Sequence, residues 1–203
     1  MPDTPAIAAI VLAAGASHRF GSNKLLHSVH LRGVSLPLAA HSILPWLEIF
    51  GHVSVIVKPD AILFCKTIEN SLGKKHEGAI RWIECPEATQ GLASSIICGV
   101  QANPSTAGWL IGLGDMPAVP SVAIAGVRNA LLDGAELAAP FCSDRRGHPV
   151  GFSSSYRAEL LALRGDTGAK HLLERDASKI THIDIDDINI FYDIDKQSDL
   201  LHP

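Results

Sequence analysis

The stretch Val11-Leu12-Ala13-Ala14-Gly15-Ala16-Ser17-His18-Arg19-Phe20-Gly21-Ser22-Asn23-Lys24 decides how this chain is read. Ahead of it, residues 6–11 form a short apolar run, β-branched enough to be a buried first strand. The texture then changes to small residues, two glycines and the cations Arg19 and Lys24. Short side chains let backbone N–H groups approach an anion, and the two cations add fixed positive charge, so the loop reads as a phosphate site suited to a triphosphate. A glycine-rich turn with solvated cations is the plainer reading of the same residues.

Two familiar phosphate loops do not fit. A P-loop places four residues between its glycines and ends in Gly-Lys-Ser/Thr, whereas five residues separate Gly15 from Gly21 and Leu25 follows Lys24. A dinucleotide fingerprint requires Gly-x-Gly-x-x-Gly, which Gly15-Ala-Ser-His-Arg-Phe does not supply.

Composition narrows the field. A chain of 203 residues suits one well-buried domain, and 47% hydrophobic with 19% charged residues marks a globular protein. A net charge of -4 with a pI near 6.2 argues against nucleic acid as a partner, because sequence-independent binding needs a broad basic surface. Met-Pro-Asp-Thr-Pro at the start carries an acid where a secretory signal carries positive charge, and residues 6–14 are too few to span a bilayer, so a cytoplasmic protein with no membrane partner is expected. Cys65, Cys85, Cys98 and Cys142 form no C-x-x-C pair and read as buried reduced thiols.

Along the chain, Ser35 reads as the N-cap of a helix with Pro37 in its first turn, which Pro45 ends or kinks. Residues 52–58 read as a strand, Asp60 as the cap of a helix over 61–72 stopped by Gly73, and 80–84 as a third strand. Gln90 opens another helix, 109–113 is a fourth strand, and Ser121 caps a helix to Leu132 ahead of a strand at 137–139. Alternation of this kind calls for a parallel sheet with helices on both faces. From Phe141 the pattern changes to a polar loop over 144–149, a strand at 150–152, helices over 153–163 and after Gly165, and late strands at 180–185 and 189–192. Asp184, Asp186 and Asp187 read as a solvated acidic turn.

Asp115 stands at the end of the fourth strand, flanked by Gly114 and held by Pro117. Ligands of open α/β sheets bind outside the carboxyl ends of the strands. A carboxylate there can hold Mg2+ against nucleotide phosphates, since that ion takes one or two carboxylates plus phosphate oxygens and water; capping the next helix is the alternative. Asp193 and Asp195 alternate after the last strand and offer a second acid on one side.

The opening loop resembles the signature Leu-Ala-Ala-Gly-x-Ser-x-Arg-Phe/Met-Gly-x-x-Lys of the molybdenum cofactor cytidylyltransferases, within the MobA-like, glycosyltransferase-A-like nucleotidyltransferases, and fills each fixed position. Gly114-Asp115-Met116-Pro117 resembles the family's metal motif, and Asp193-Ile-Asp195-Lys-Gln-Ser-Asp-Leu resembles its Asp-Ile-Asp-Thr-Pro-Glu-Asp-Leu, with Lys196-Gln197 in place of Thr-Pro. Gln90-Gly91-Leu92-Ala93-Ser94-Ser95 is similar to the stretch that lies against the nucleotide, although Leu92 and Ala93 depart from the usual Met and Ser. Ser94 and Ser95 are equally readable as helix caps. Gly147-His148-Pro149-Val150 is typical of the cytidylyltransferases; the preceding Arg145 and Arg146 could fork onto a phosphate or form a solvated basic turn. Gly165-Asp166-Thr167-Gly168-Ala169-Lys170 resembles Gly-Asp-x-Gly-Ala-Arg, with Asp166 or Thr167 capping a helix that faces the second substrate.

The resemblance implies a single-domain, three-layer α/β/α fold with a mostly parallel, Rossmann-like sheet over residues 1–203. It implies transfer of a cytidylyl group from CTP to the phosphate of molybdopterin with release of pyrophosphate. Catalysis would fall to Arg19, Lys24 and Asp115, and the metal to Asp115 with Asp195 or Asp193. Leu12, Ala13, Ala14, Gly15, Ser17, Arg19, Lys24, Gln90, Gly91, Ser94 and Ser95 would face the nucleotide. Arg145, Arg146, Gly147, His148, Pro149, Asp166, Thr167 and Gly168 would face the acceptor. Ala-Ala-Gly goes with cytidine in the family and Ala-Gly-Gly with guanosine, so Ala14 points to CTP over GTP. The same fold acting on a sugar or polyol phosphate, and a non-catalytic cofactor carrier or chaperone serving a molybdoenzyme, are the other readings.

Overall fold

In the computed structural model of the chain, residues 6–15 and 23–194 are described. Strand β1 (Ile7–Leu12) lies mid-sheet, paired in parallel with β4 (Val53–Val57) on one side and β6 (Gly108–Leu113) on the other. A strand paired on both edges and covered on both faces must be apolar throughout, which is why Ile10, Val11, Val55, Ile56 and Leu110 are fully buried. Alternate residues feed two cores: Ala9, Val11 and Ala13 face one, Ile10, Leu12 and Ala14 the other.

Helices α1 (Leu38–Phe50), α2 (Ile62–Leu72) and α4 (Ser121–Leu132) supply the first core. The second is covered by α3 (Leu92–Ala102), α5 (Arg157–Leu161) and α6 (Lys170–Arg175). The result is the three-layer α/β/α domain expected, with β5 (Ile80–Glu84) at one edge beside β4. Gly112 lets the sheet approach α1 closely, because a Cβ there would overlap the Trp46 ring.

The change of pattern after Phe141 is where the sheet stops being parallel. β7 (Leu137–Cys142) turns through Ser143 and Asp144, at φ 49° and 61°, into the two-residue β8 (Arg145–Arg146). Two successive left-handed residues are the type I′ geometry that matches strand twist, so the polar loop read from sequence is a tight hairpin. β9 (Val150–Ser153) then runs antiparallel between β6 and β7, and β10 (Ile180–Asp184) returns parallel to β7 at the other edge.

Several local readings are corrected. Ser35 caps nothing: it lies in β3 (Val34–Pro37), paired with β2 (Ser28–Leu31) across an Arg32-Gly33 turn at φ 52° and 79°. Pro45 does not end α1, which runs on to Phe50 and stops at Gly51; an interior proline costs about 3 kcal/mol, offset here by the burial of Leu38, Ile43, Trp46 and Leu47. Asp60 takes a left-handed conformation at φ 59° and makes no cap contact with α2. Helix α3 starts after Gly91 rather than at Gln90, and Ser121 is the first residue of α4 after Pro120. Residues 188–191 form a 3-10 turn instead of a strand, because the Asp187 carboxylate accepts the Asn189 N–H at 2.8 Å. The four cysteines are free thiols, with Cys85 fully buried and the others half-buried.

Candidate functional site

The carboxyl ends of β1, β4 and β6 form a rim whose backbone is tied together by hydrogen bonds. Ala13 N–H donates to the Ile56 carbonyl at 2.8 Å and Gly114 N–H to the Leu12 carbonyl at 2.9 Å. Leu12, Ala13 and Ala14 are thereby buried as the floor of the rim, and Gly15 is exposed, with none of the described residues within 4 Å of a Cβ at that position. Ser17 and Arg19 lie outside the described residues.

Lys24 returns the chain to the same rim. It begins a short 3-10 turn over Lys24–Leu26, pinned by the buried Leu25, and its ammonium donates to Asp115 Oδ2 at 2.9 Å. The two side chains are 10% and 26% exposed, so the pair is largely withdrawn from water on the lysine side and open on the aspartate side. Residues 91 positions apart in sequence thus meet at the end of β6.

Antiparallel β9 brings the late motif to this rim rather than away from it. Val150 pairs with Ile111, so the residues before Val150 enter beside the end of β6. The His148–Pro149 peptide is cis, and Pro149 is buried. Gly147 N–H donates to the Pro140 carbonyl and His148 N–H to the Ile190 carbonyl at 2.9 Å. A Cβ on Gly147 would meet Ile190 at 2.6 Å, so only glycine lets the C-terminal segment lie against this loop. That segment continues to Asp115, whose carbonyl accepts the Ile194 N–H at 3.1 Å. The exposed Asp193 is carried to the rim by this bond, and Asp195 lies outside the described residues.

The two arginines part company. Successive residues of a strand face opposite sides, and Arg145 lays its guanidinium over the Phe191 ring at 4.2 Å while Arg146 is half-buried within electrostatic reach of His148. Only Arg146 is therefore grouped with the histidine. Burial first, and then the Arg146 charge, bring the His148 imidazole down to about 4 against an opposing pull from Asp115. Its Nδ1 is enclosed and has no hydrogen-bond partner among the described residues.

This shift makes a prediction. An imidazole in the unfolded chain takes its proton near pH 6.5, whereas His148 in the fold takes it only near 4. Between those values the unfolded state binds the extra proton, so this contribution to stability is complete above pH 6.5 and lost as pH falls toward 4. In the metal-free protein the His148 ring resonances should titrate near 4 by NMR, and His148→Asn should reduce the fall in denaturant midpoint over that window; a ring midpoint at or above 6.5 would contradict it.

On the other side of the rim, Gly91 caps α3 at φ 114° and ψ 178°. A Cβ there would overlap Asp166 Oδ1 and approach the Gly165 carbonyl oxygen at 2.7 Å, and that same carbonyl accepts the Ala93 N–H at 3.1 Å. The Gly165–Gly168 loop therefore sits on the N-terminus of α3. Asp166 and Thr167 make no side-chain cap on α6, which starts at Lys170; this corrects the reading of that motif. Gln90 is exposed at the rim, Ser95 is buried, and the half-buried Ser94 uses its carbonyl to accept the Cys85 thiol at 3.5 Å. Sequence reasoning missed the Gly91–Asp166 contact and the Ile194–Asp115 bond, since neither backbone approach has a local signature.

Among the described residues no group of three or more His, Cys, Asp and Glu side chains converges, and no helix is long and apolar enough to cross a membrane.

The family profile described as MobA-like NTP transferase domain matches residues 9–180. No curated protein matches the chain in sequence. Among solved structures, Rv0371c from Mycobacterium tuberculosis H37Rv is similar at TM-score 0.79 and 22% identity, over 97% of this chain and 95% of that one. A structure of the same mycobacterial protein in complex with manganese is similar at TM-score 0.69 and 18% identity, over 90% and 89%. Molybdopterin-guanine dinucleotide biosynthesis protein A from Archaeoglobus fulgidus is similar at TM-score 0.63 and 16% identity, over 96% and 95%.

Proposed function

Since the chain belongs to the MobA-like NTP transferase domain family, and is on that ground a nucleotidyltransferase, we propose that it transfers a cytidylyl group from CTP to the phosphate of a molybdopterin-type acceptor, releasing pyrophosphate. The observation that carries this reading is the meeting of Lys24 and Asp115 at 2.9 Å on the rim of the sheet, where a phosphate-binding cation and a metal-binding carboxylate are both required.

The residues fit a divalent ion such as Mg2+: Asp115 presents a partly exposed carboxylate, the chain through Ile194 brings Asp193 toward it, and a nucleotide would supply further oxygens. The manganese complex of the mycobacterial neighbour supports the choice of a divalent ion. When bound, the ion neutralises charge on the phosphates. Lys24, with Arg19, binds the phosphates that leave as pyrophosphate. The backbone of Ala13, Ala14 and Gly15 and the segment from Gln90 to Ser95 orient the nucleoside. Arg146 and neutral His148 hold the acceptor, the first by charge and the second by hydrogen bonding. A phosphate acceptor is largely a dianion at neutral pH and needs no general base, which matches a rim on which the described residues place no paired base and nucleophile.

Ala14 favours CTP over GTP, and the test is direct. Pyrophosphate release with Mg2+ and molybdopterin should be at least about tenfold faster per mole of CTP than of GTP, a difference of about 1.4 kcal/mol. Faster release from GTP would reverse the base assignment. No release from either nucleotide, with both still bound, would favour a cofactor carrier.

A further inference from the structure

We propose that the Lys24–Asp115 ion pair is a latch that keeps divalent metal out of the site until a nucleoside triphosphate arrives. The inference rests on the reading of Asp115 as a metal ligand and says when that ligand becomes available.

A metal must take carboxylate oxygens from Asp115, and the Lys24 ammonium holds Oδ2 at 2.9 Å. The lysine side chain is only 10% exposed, so water offers it little in exchange. Moving Asp115 onto a metal alone would strip a nearly buried ammonium of this carboxylate and set two cations close together, with the Arg146 charge on the same rim. A triphosphate changes the balance. Its oxygens are acceptors as strong as the carboxylate, so Lys24 can exchange one anion for another as the metal takes over Asp115. Metal and nucleotide therefore bind with positive coupling, each tightening the other by the same factor. The short turn that carries Lys24 is anchored by Leu25 and by the His27 carbonyl, which accepts the Leu38 N–H at 2.9 Å, so the exchange needs a side-chain movement and no refolding of the rim.

Mn2+ is the probe, with free ion followed by electron paramagnetic resonance in nucleotide-free protein. Lys24→Met should bind Mn2+ about tenfold more tightly than the unmodified chain, within the usual range of coupling free energies. Lys24→Arg keeps a cation at the carboxylate and should bind as weakly as the unmodified chain. Lys24→Gln, which retains a polar tip, replaces the methionine variant if that one fails to fold. Adding Asp115→Asn to Lys24→Met should remove the gain. Equal Mn2+ affinity in Lys24→Met and the unmodified chain, with binding lost on Asp115→Asn, overturns the latch and leaves the metal ligand standing. A gain that survives Asp115→Asn overturns both.

Discussion

Asp115→Asn is expected to lower the rate of pyrophosphate release by about a thousandfold, with a much smaller change in the affinity for CTP. A metal contact that stabilises developing charge is worth several kcal/mol in the transition state, and about 1.4 kcal/mol corresponds to a factor of ten. Asparagine preserves the shape at the end of β6 and still accepts a hydrogen bond from Lys24, so the protein should remain folded. The Lys24 ammonium is only 10% exposed but keeps a hydrogen bond to the asparagine oxygen, so the lost charge pairing should lower stability by about 1–3 kcal/mol. Single-turnover rates with CTP and Mg2+, read beside a denaturant midpoint, separate the two effects. Turnover at the unmodified rate would remove Asp115 from the metal site.

Gly91→Ala should cost about 2–6 kcal/mol in stability and weaken nucleotide binding at the same time, from two causes that add. Backbone at φ 114° and ψ 178° belongs to a region populated almost only by glycine, and placing another residue there costs about 1–3 kcal/mol. The added Cβ also overlaps Asp166 and the Gly165 backbone, and crowding of that kind typically costs about 1–3 kcal/mol. Relief comes only by lifting the Gly165–Gly168 loop off α3, which frees the Ala93 N–H now held by the Gly165 carbonyl. Gly15→Ala is the control, because none of the described residues lies within 4 Å of a Cβ at that position; its stability should change by less than about 0.5 kcal/mol. Equal midpoints for the two variants would show that the Gly91 conformation carries no strain.

The proposed acceptor side depends on an alternation that the sequence states only if the strand is recognised. Arg145 and Arg146 are neighbours in the chain, yet the hairpin sends one to the Phe191 ring and leaves the other within reach of His148. The signal for that hairpin was present as Ser143-Asp144 between residues of opposite pairing, and the same device at Arg32-Gly33 makes the β2–β3 pair. From sequence, residues 144–149 read as a polar loop and Ser35 with Pro37 as a helix start, because short strands of two to four residues carry too little periodicity to stand out.

Local sequence by itself determined the parallel half of the sheet, the two apolar faces of β1, and the placement of a glycine-rich cation loop and a lone carboxylate at strand ends. Those features follow from hydrophobic runs and turn residues, whose physics is settled within a few residues of chain. Tertiary structure alone decided which groups share the rim. The ion pair between Lys24 and Asp115, the seat of the Gly165 loop on Gly91, and the passage of the Ile190–Ile194 segment from His148 to Asp115 are contacts between distant parts of the chain. Close packing fixes such contacts through the absence of a Cβ or the reach of one carbonyl, and neither leaves a pattern in neighbouring residues.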